Sequence, residues 1–167
     1  MKKYIVLFLF LIPVFSFGAS ASYQQLYDQY FALSNALAQD SPGDAKKAAK
    51  EMATTVATLL ETQSGKQPVQ AGDLPRDEAE TVRQSLATIV NLSKTITAVD
   101  KLDQMRKPFE ELTAVVAGLQ AHTKIQADEY YCPMVKKTWL QAKNSKNVMN
   151  PYVGKSMVNC GEKKKSK

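Results

Sequence analysis

Cysteine and histidine are scarce in this 167-residue sequence: there are two cysteines and one histidine, with a single tryptophan. The two cysteines, Cys132 and Cys160, do not form a Cys-x-x-Cys pair, and neither is followed by the histidine of a covalent haem motif, which excludes redox-motif and c-type haem chemistry. The seven glycines form no phosphate-cradling loop, and no Cys-His-Asn set has plausible placement. Acidic residues such as Asp77, Glu78, Glu80, Glu110 and Glu111 fall at polar helix positions and read as solvated faces. The chain is therefore not expected to be an enzyme. Internal repeats are absent, and beyond the N-terminus no apolar run is long enough to cross a bilayer.

What is present begins with Met-Lys-Lys, an apolar run from Tyr4 to Phe17, and Gly18-Ala19-Ser20-Ala21. A short positive start, a hydrophobic middle and small residues at the end make a secretory signal peptide, residues 1–21, with cleavage after Ala21. A membrane anchor is disfavoured because Pro13 interrupts the run and its uninterrupted core falls short of about 18 residues. No cysteine follows the run, so lipid anchoring is not expected. The mature product is then periplasmic or secreted, with no integral membrane segment. The formal charge of +6 comes from 22 basic and 16 acidic residues. Lys2 and Lys3 leave with the leader, and Lys163, Lys164, Lys165 and Lys167 sit at the far end. Without those six the counts are equal, which removes the main support for a nucleic-acid partner.

From Tyr23 onward apolar residues recur at steps of three and four. Tyr23, Leu26, Tyr30, Leu33 and Leu37 form one stripe. Ser41, Pro42 and Asp44 signal a second start, followed by Ala45, Ala48, Ala49, Met52, Val56, Leu59 and Leu60. Between Gln63 and Pro75 the period vanishes into a Gly- and Pro-punctuated loop. A third stripe comprises Ala79, Val82, Leu86, Ile89, Ile96 and Val99. Asp100 is a candidate cap for a fourth: Leu102, Met105, Phe109, Leu112, Val116, Leu119 and His122, bent at Pro108. None of these helices can bury its stripe alone. The expected fold is all-α: an antiparallel four-helix bundle over residues 22–124 carrying an irregular C-terminal segment, residues 125–162, with a basic disordered tail at 163–167.

That C-terminal segment concentrates the sulfur. Met134 follows Cys132 by two residues, and Met157 precedes Cys160 by three. Thiolates and thioethers are soft donors that select copper(I) or silver(I) over cations preferring oxygen. Outside the cytoplasm a lone cysteine pair also reads as a disulfide, which in the chain-entropy model contributes about 3 to 4 kcal/mol for such a loop and needs no ligand. The residues leave both readings open. His122, at a helix end, is a candidate fifth donor, though a single histidine there is commonly packed or solvated. Asn150, Pro151, Tyr152 and Gly154 read as a turn aiming Met157 and Cys160 toward Cys132, and Trp139 as a packing anchor.

The order Cys132-Pro133-Met134, Trp139-Leu140, then Asn150-Pro151-Tyr152-x-Gly154-x-x-Met157-x-x-Cys160-Gly161 resembles a small extracytoplasmic domain of unknown function. That domain occurs alone or attached to periplasmic adaptor subunits of copper and silver efflux systems. The resemblance covers the C-terminal quarter. It implies that Cys132, Met134, Met157 and Cys160 are heavy-metal ligands, and that the partner is a heavy-metal efflux or copper-handling protein of the envelope. The competing expectation is a helical interaction module stapled by one disulfide.

Overall fold

The computed structural model describes residues 22–64 and 76–165. The leader reading and most of the Gly- and Pro-rich connection lie outside those residues. Ser22 opens helix α1 (Tyr23–Ala38): its backbone is extended and its hydroxyl accepts the Gln25 N–H at 3.2 Å. Asp40, at φ 51°, turns the chain, and the Ser41 amide closes the end of α1 on the Ala36 carbonyl at 2.9 Å. Ser41 then starts α2 (Pro42–Ser64), where its hydroxyl donates to Asp44 at 2.7 Å. Helix α3 spans Arg76–Thr97, with Asp77 and Glu78 in its first turn, and α4 spans Leu102–Leu119. Lys101, not Asp100, occupies the cap position of α4. Asp100 instead pairs with Lys46 on α2, which ties the α3–α4 connection across the bundle. α4 continues through Pro108, whose missing N–H leaves the Gln104 carbonyl without its helical partner. Gln120–His122 follow as a single 3₁₀ turn.

The helices pack consecutively, α1 on α2, α2 on α3 and α3 on α4. Their stripes are buried much as the period implies, with Leu26, Leu33, Leu37, Met52, Val56, Leu86, Ile89, Phe109, Leu112 and Val116 all inaccessible to solvent. Ala79 is an exception and lies exposed. Aromatic side chains bridge the seam between α1 and α4. Tyr27 donates to the Val116 carbonyl at 3.0 Å, and Tyr30 stacks on Phe109 with centroids 5.4 Å apart. Among the described residues no helix is long and apolar enough to cross a membrane.

The chain is mostly helical but not all-α. The segment expected to be irregular contains a three-stranded antiparallel sheet: β1 (Ala127–Cys132), β2 (Lys137–Ala142) and β3 (Glu162–Lys163), in the order β2-β1-β3. The reason lies in β1, where Asp128, Tyr130 and Cys132 are buried and Ala127, Glu129 and Tyr131 are only partly covered. That alternation is the two-residue period of a strand. Lys163, expected in the basic tail, pairs opposite Tyr130 in β3, and Lys164 donates its backbone N–H to the Glu129 carbonyl and its ammonium to the Glu129 carboxylate.

β2 is buried on both faces. Leu140 joins the helical core, while Trp139 belongs to a second, smaller core with Tyr130 and Cys132. Because Tyr130 stands directly opposite Trp139, these side chains share the face of the sheet turned away from the bundle. On the bundle side the phenol of Tyr30 accepts the Leu140 N–H at 3.1 Å and shares a 2.8 Å hydrogen bond with Thr113. Burial holds that phenol well above its usual pKa, so it stays neutral and bonded.

Candidate metal site

The outer face of the sheet is covered by the chain between Val148 and Gly161, and the cover is held by one amide. Asn150 is inaccessible to solvent: its side-chain N–H donates to the Cys160 carbonyl at 2.7 Å, and its oxygen accepts the Tyr152 N–H at 2.9 Å. Its own backbone N–H donates to Val158 at 2.7 Å. One residue thus fixes both ends of the excursion that carries Met157 and Cys160. Tyr152 donates to the Thr138 carbonyl at 2.8 Å and packs against Phe109 and Trp139, so the excursion is pinned to sheet and bundle together.

Two glycines make close approaches that no other residue fits. Gly154, at φ 63°, begins the 3₁₀ turn Gly154–Met157, and a Cβ there would lie 2.0 Å from the Asp40 carboxylate. That carboxylate accepts the Lys155 N–H at 2.8 Å and the Arg106 guanidinium at 2.6 Å, and the amide first and then the cation hold its pKa below the ordinary carboxylate range. Arg106 also donates to the carbonyls of Leu37 and Pro151, at 2.9 and 2.7 Å. Gly161, at φ 141°, lies against the Trp139 ring, where a Cβ would come within 2.4 Å. The indole N–H is satisfied by Gln141 at 3.0 Å, whose oxygen also accepts the Met149 N–H at 2.9 Å.

This framework joins two stretches far apart in sequence. Cys132, at the end of β1, and Cys160 are bonded as a disulfide with Cα atoms 5.8 Å apart. Cys132 is fully buried beside Tyr130 and Trp139, while Cys160 is only partly covered. Met134 lies in the four-residue connection from β1 to β2. Met157 closes the 3₁₀ turn, and its carbonyl accepts the Cys160 N–H at 2.8 Å. Both methionines project to solvent, Met134 66% and Met157 42% exposed. The disulfide thus joins the two segments that carry the exposed methionines, Met134 two residues after Cys132 and Met157 three residues before Cys160.

His122 is not among them. It sits in the 3₁₀ turn beyond α4, with Nδ1 3.5 Å from Glu78 at the start of α3. The Cys132 end of the sheet faces Glu110, which pairs with Lys137, the residue opposite Cys132. Twelve residues of α4 and its extension, about 18 Å at 1.5 Å per residue, separate Glu110 from His122. β1 runs back along the bundle, so the histidine lies toward its beginning and the cysteine at its end. Among the described residues no three His, Cys, Asp or Glu side chains gather as a metal site. Thiolates and thioethers are both soft donors, so the reduced cysteines and the two methionines share one ligand chemistry. In the bonded state neither cysteine offers a thiolate, and only the thioethers remain as donors.

A family model described as a protein of unknown function, DUF3347, matches residues 26–128, more than half of the chain. The chain belongs to the DUF3347 family. The match runs from Leu26 in α1 through α4 to the first two residues of β1 and ends before Cys132, so the matched part of this DUF3347 protein is the bundle on which the sulfur-bearing segment sits. No curated protein and no solved structure matches the chain.

Sequence reasoning singled out the four sulfur residues and expected a turn at Asn150, Pro151, Tyr152 and Gly154, but it missed the groups that hold that segment in place. Arg106 lies in a helical pattern and Asp40 at a helix end, and beyond each other their partners are backbone carbonyls and an amide, which leave no mark in side-chain composition. The hairpin left little signal, because in Ala127-Asp128-Glu129-Tyr130-Tyr131-Cys132 each set of alternate residues carries one acid, and the period of two shows only in burial.

Proposed function

We propose that this protein binds a soft monovalent ion, copper(I) or silver(I), in the periplasm or another extracytoplasmic space. It holds the ion through Cys132, Met134, Met157 and Cys160 when the cysteines are reduced. It buffers the ion or hands it to an efflux or copper-handling partner of the envelope. The observation that carries this reading is the exposure of both thioethers on the two distant stretches that the cysteine pair joins. Mixed thiolate and thioether ligation on loops suits ligand exchange, because each donor can be replaced in turn by one from a partner. The reading assigns binding without catalysis and invokes no nucleic acid.

The deciding experiment is titration of the reduced protein with copper(I) against a competing chelator. One ion per chain is expected, with binding lost in Cys132→Ser and in Cys160→Ser and weakened at least tenfold in Met134→Leu with Met157→Leu. Unchanged binding in the two cysteine variants would eliminate the reading. A second reading rests on the burial of Cys132 in the small core: the bond is a permanent staple of an interaction module. On that reading Met134→Leu with Met157→Leu leaves metal tolerance of the producing cell unaltered.

A further inference from the structure

We infer that the Cys132–Cys160 bond is a gate opened from the Cys160 side, so that a dithiol reductant acts on this protein before it takes up its ion. The inference rests on the metal-binding reading for its purpose and on burial for its direction. Cys132 is wholly enclosed by Tyr130, Trp139 and the surrounding apolar side chains, whereas Cys160 is partly exposed at the rim, between the exposed Asn159 and the half-covered Gly161. Thiol–disulfide exchange requires a thiolate to reach one of the two sulfurs, and access decides which. Only the Cys160 sulfur belongs to a residue that solvent reaches.

The exchange balances as two displacements. A thiolate of the reductant bonds to Cys160 Sγ, and Cys132 Sγ departs with the bonding electron pair. The second thiol of the reductant, having lost its proton, then attacks its own half of the mixed disulfide and releases Cys160 as a thiolate. The reductant ends as a disulfide, two electrons having passed to the protein. The departing Cys132 thiolate is buried among apolar groups, a position that disfavours charge. A soft cation bound to it neutralises it, so reduction and loading reinforce one another. Each tenfold excess of free metal over its dissociation constant raises the midpoint potential of the pair by about 30 mV.

The test uses the wild-type protein and a small dithiol reductase whose resolving cysteine has been changed to serine, so that the mixed disulfide accumulates. Acid quenching, alkylation of free thiols and peptide mass mapping then locate the adduct. At least tenfold more adduct on Cys160 than on Cys132 is expected. Equal amounts, a preference for Cys132, or reaction only after denaturation would overturn the direction of attack. Copper(I) uptake by the oxidised protein equal to that of the reduced protein would overturn the gate. If the adduct forms on Cys160 and the reduced protein binds no copper(I), the metal reading and the gate both fail while the exchange chemistry stands.

Discussion

Removing the disulfide tests whether the two stretches are tied as described. The bond joins residues 28 apart, and in the chain-entropy model closing such a loop takes about 12 cal/mol/K from the unfolded chain, or about 3.6 kcal/mol at 25 °C. Cys132→Ala with Cys160→Ala is the suitable variant, because serine would leave a hydroxyl beside Tyr130 and Trp139 with no assured partner. The truncated sulfurs add about 1 kcal/mol for the lost packing of the buried one. With a urea slope of about 2 kcal/mol/M, the midpoint should fall by about 2 M, and reduced wild-type protein should fall by slightly less. Far-ultraviolet circular dichroism follows the helices and near-ultraviolet dichroism follows Trp139, the only tryptophan. If the two signals separate, the sheet end unfolds by itself and the loss should appear in the tryptophan signal. A midpoint shift below 0.5 M in both signals would refute the assignment of a bond that constrains the unfolded chain.

Three further outcomes follow from the packing. Gly161→Ala forces a methyl group toward Trp139 at a backbone angle that side chains rarely adopt, and should cost about 2 to 4 kcal/mol by urea unfolding. Tyr30→Phe removes the oxygen that accepts from Leu140 and bonds Thr113; leaving both unpaired should cost about 1 to 3 kcal/mol, and a loss below 0.5 would contradict the seating of β2 on the bundle. Asp40 has its folded-state pKa held below the unfolded value, so its ionised form stabilises the fold above about pH 4, and that contribution disappears as the pH falls through the folded value. Acidification should therefore loosen the Gly154–Met157 turn and change the tryptophan signal, and Asp40→Asn should diminish that change; an identical acid transition in the variant would remove Asp40 from the account.

The helices were legible because a stripe such as Leu26, Tyr30, Leu33 and Leu37 repeats over several turns, and a buried helix face leaves little choice of period. The sheet was not, because its strands are short and one of them hides its alternation. In β2 Trp139, Leu140 and Gln141 are all buried, since one face meets the bundle and the other meets the returning chain. A strand enclosed on both sides shows no polar face to read. The sulfur residues stood out by chemical type, yet composition cannot say whether Cys132 and Cys160 are joined. His122 shared the helix stripe with Leu119, and only the reversal of the chain after Lys124 carries the cysteines to the opposite end.

The methionines separate the two readings of the sulfur end more sharply than the cysteines do. Met52 and Met105 are inaccessible to solvent and fill gaps between helices, the ordinary use of a flexible thioether. Fully burying such a side chain is favourable by about 1.5 to 3 kcal/mol, so leaving Met134 and Met157 in water forgoes part of that gain twice within a few residues of the same disulfide. A staple needs the cysteines alone and gains nothing from these exposed thioethers. Ligand exchange with a partner needs them reachable, at the cost of apolar surface in solvent. Leucine at both positions preserves shape and apolar character but removes the donor atoms. Folding stability should therefore change by less than about 1 kcal/mol, and loss of copper(I) affinity against that background isolates the sulfur atoms as the reason those side chains are exposed.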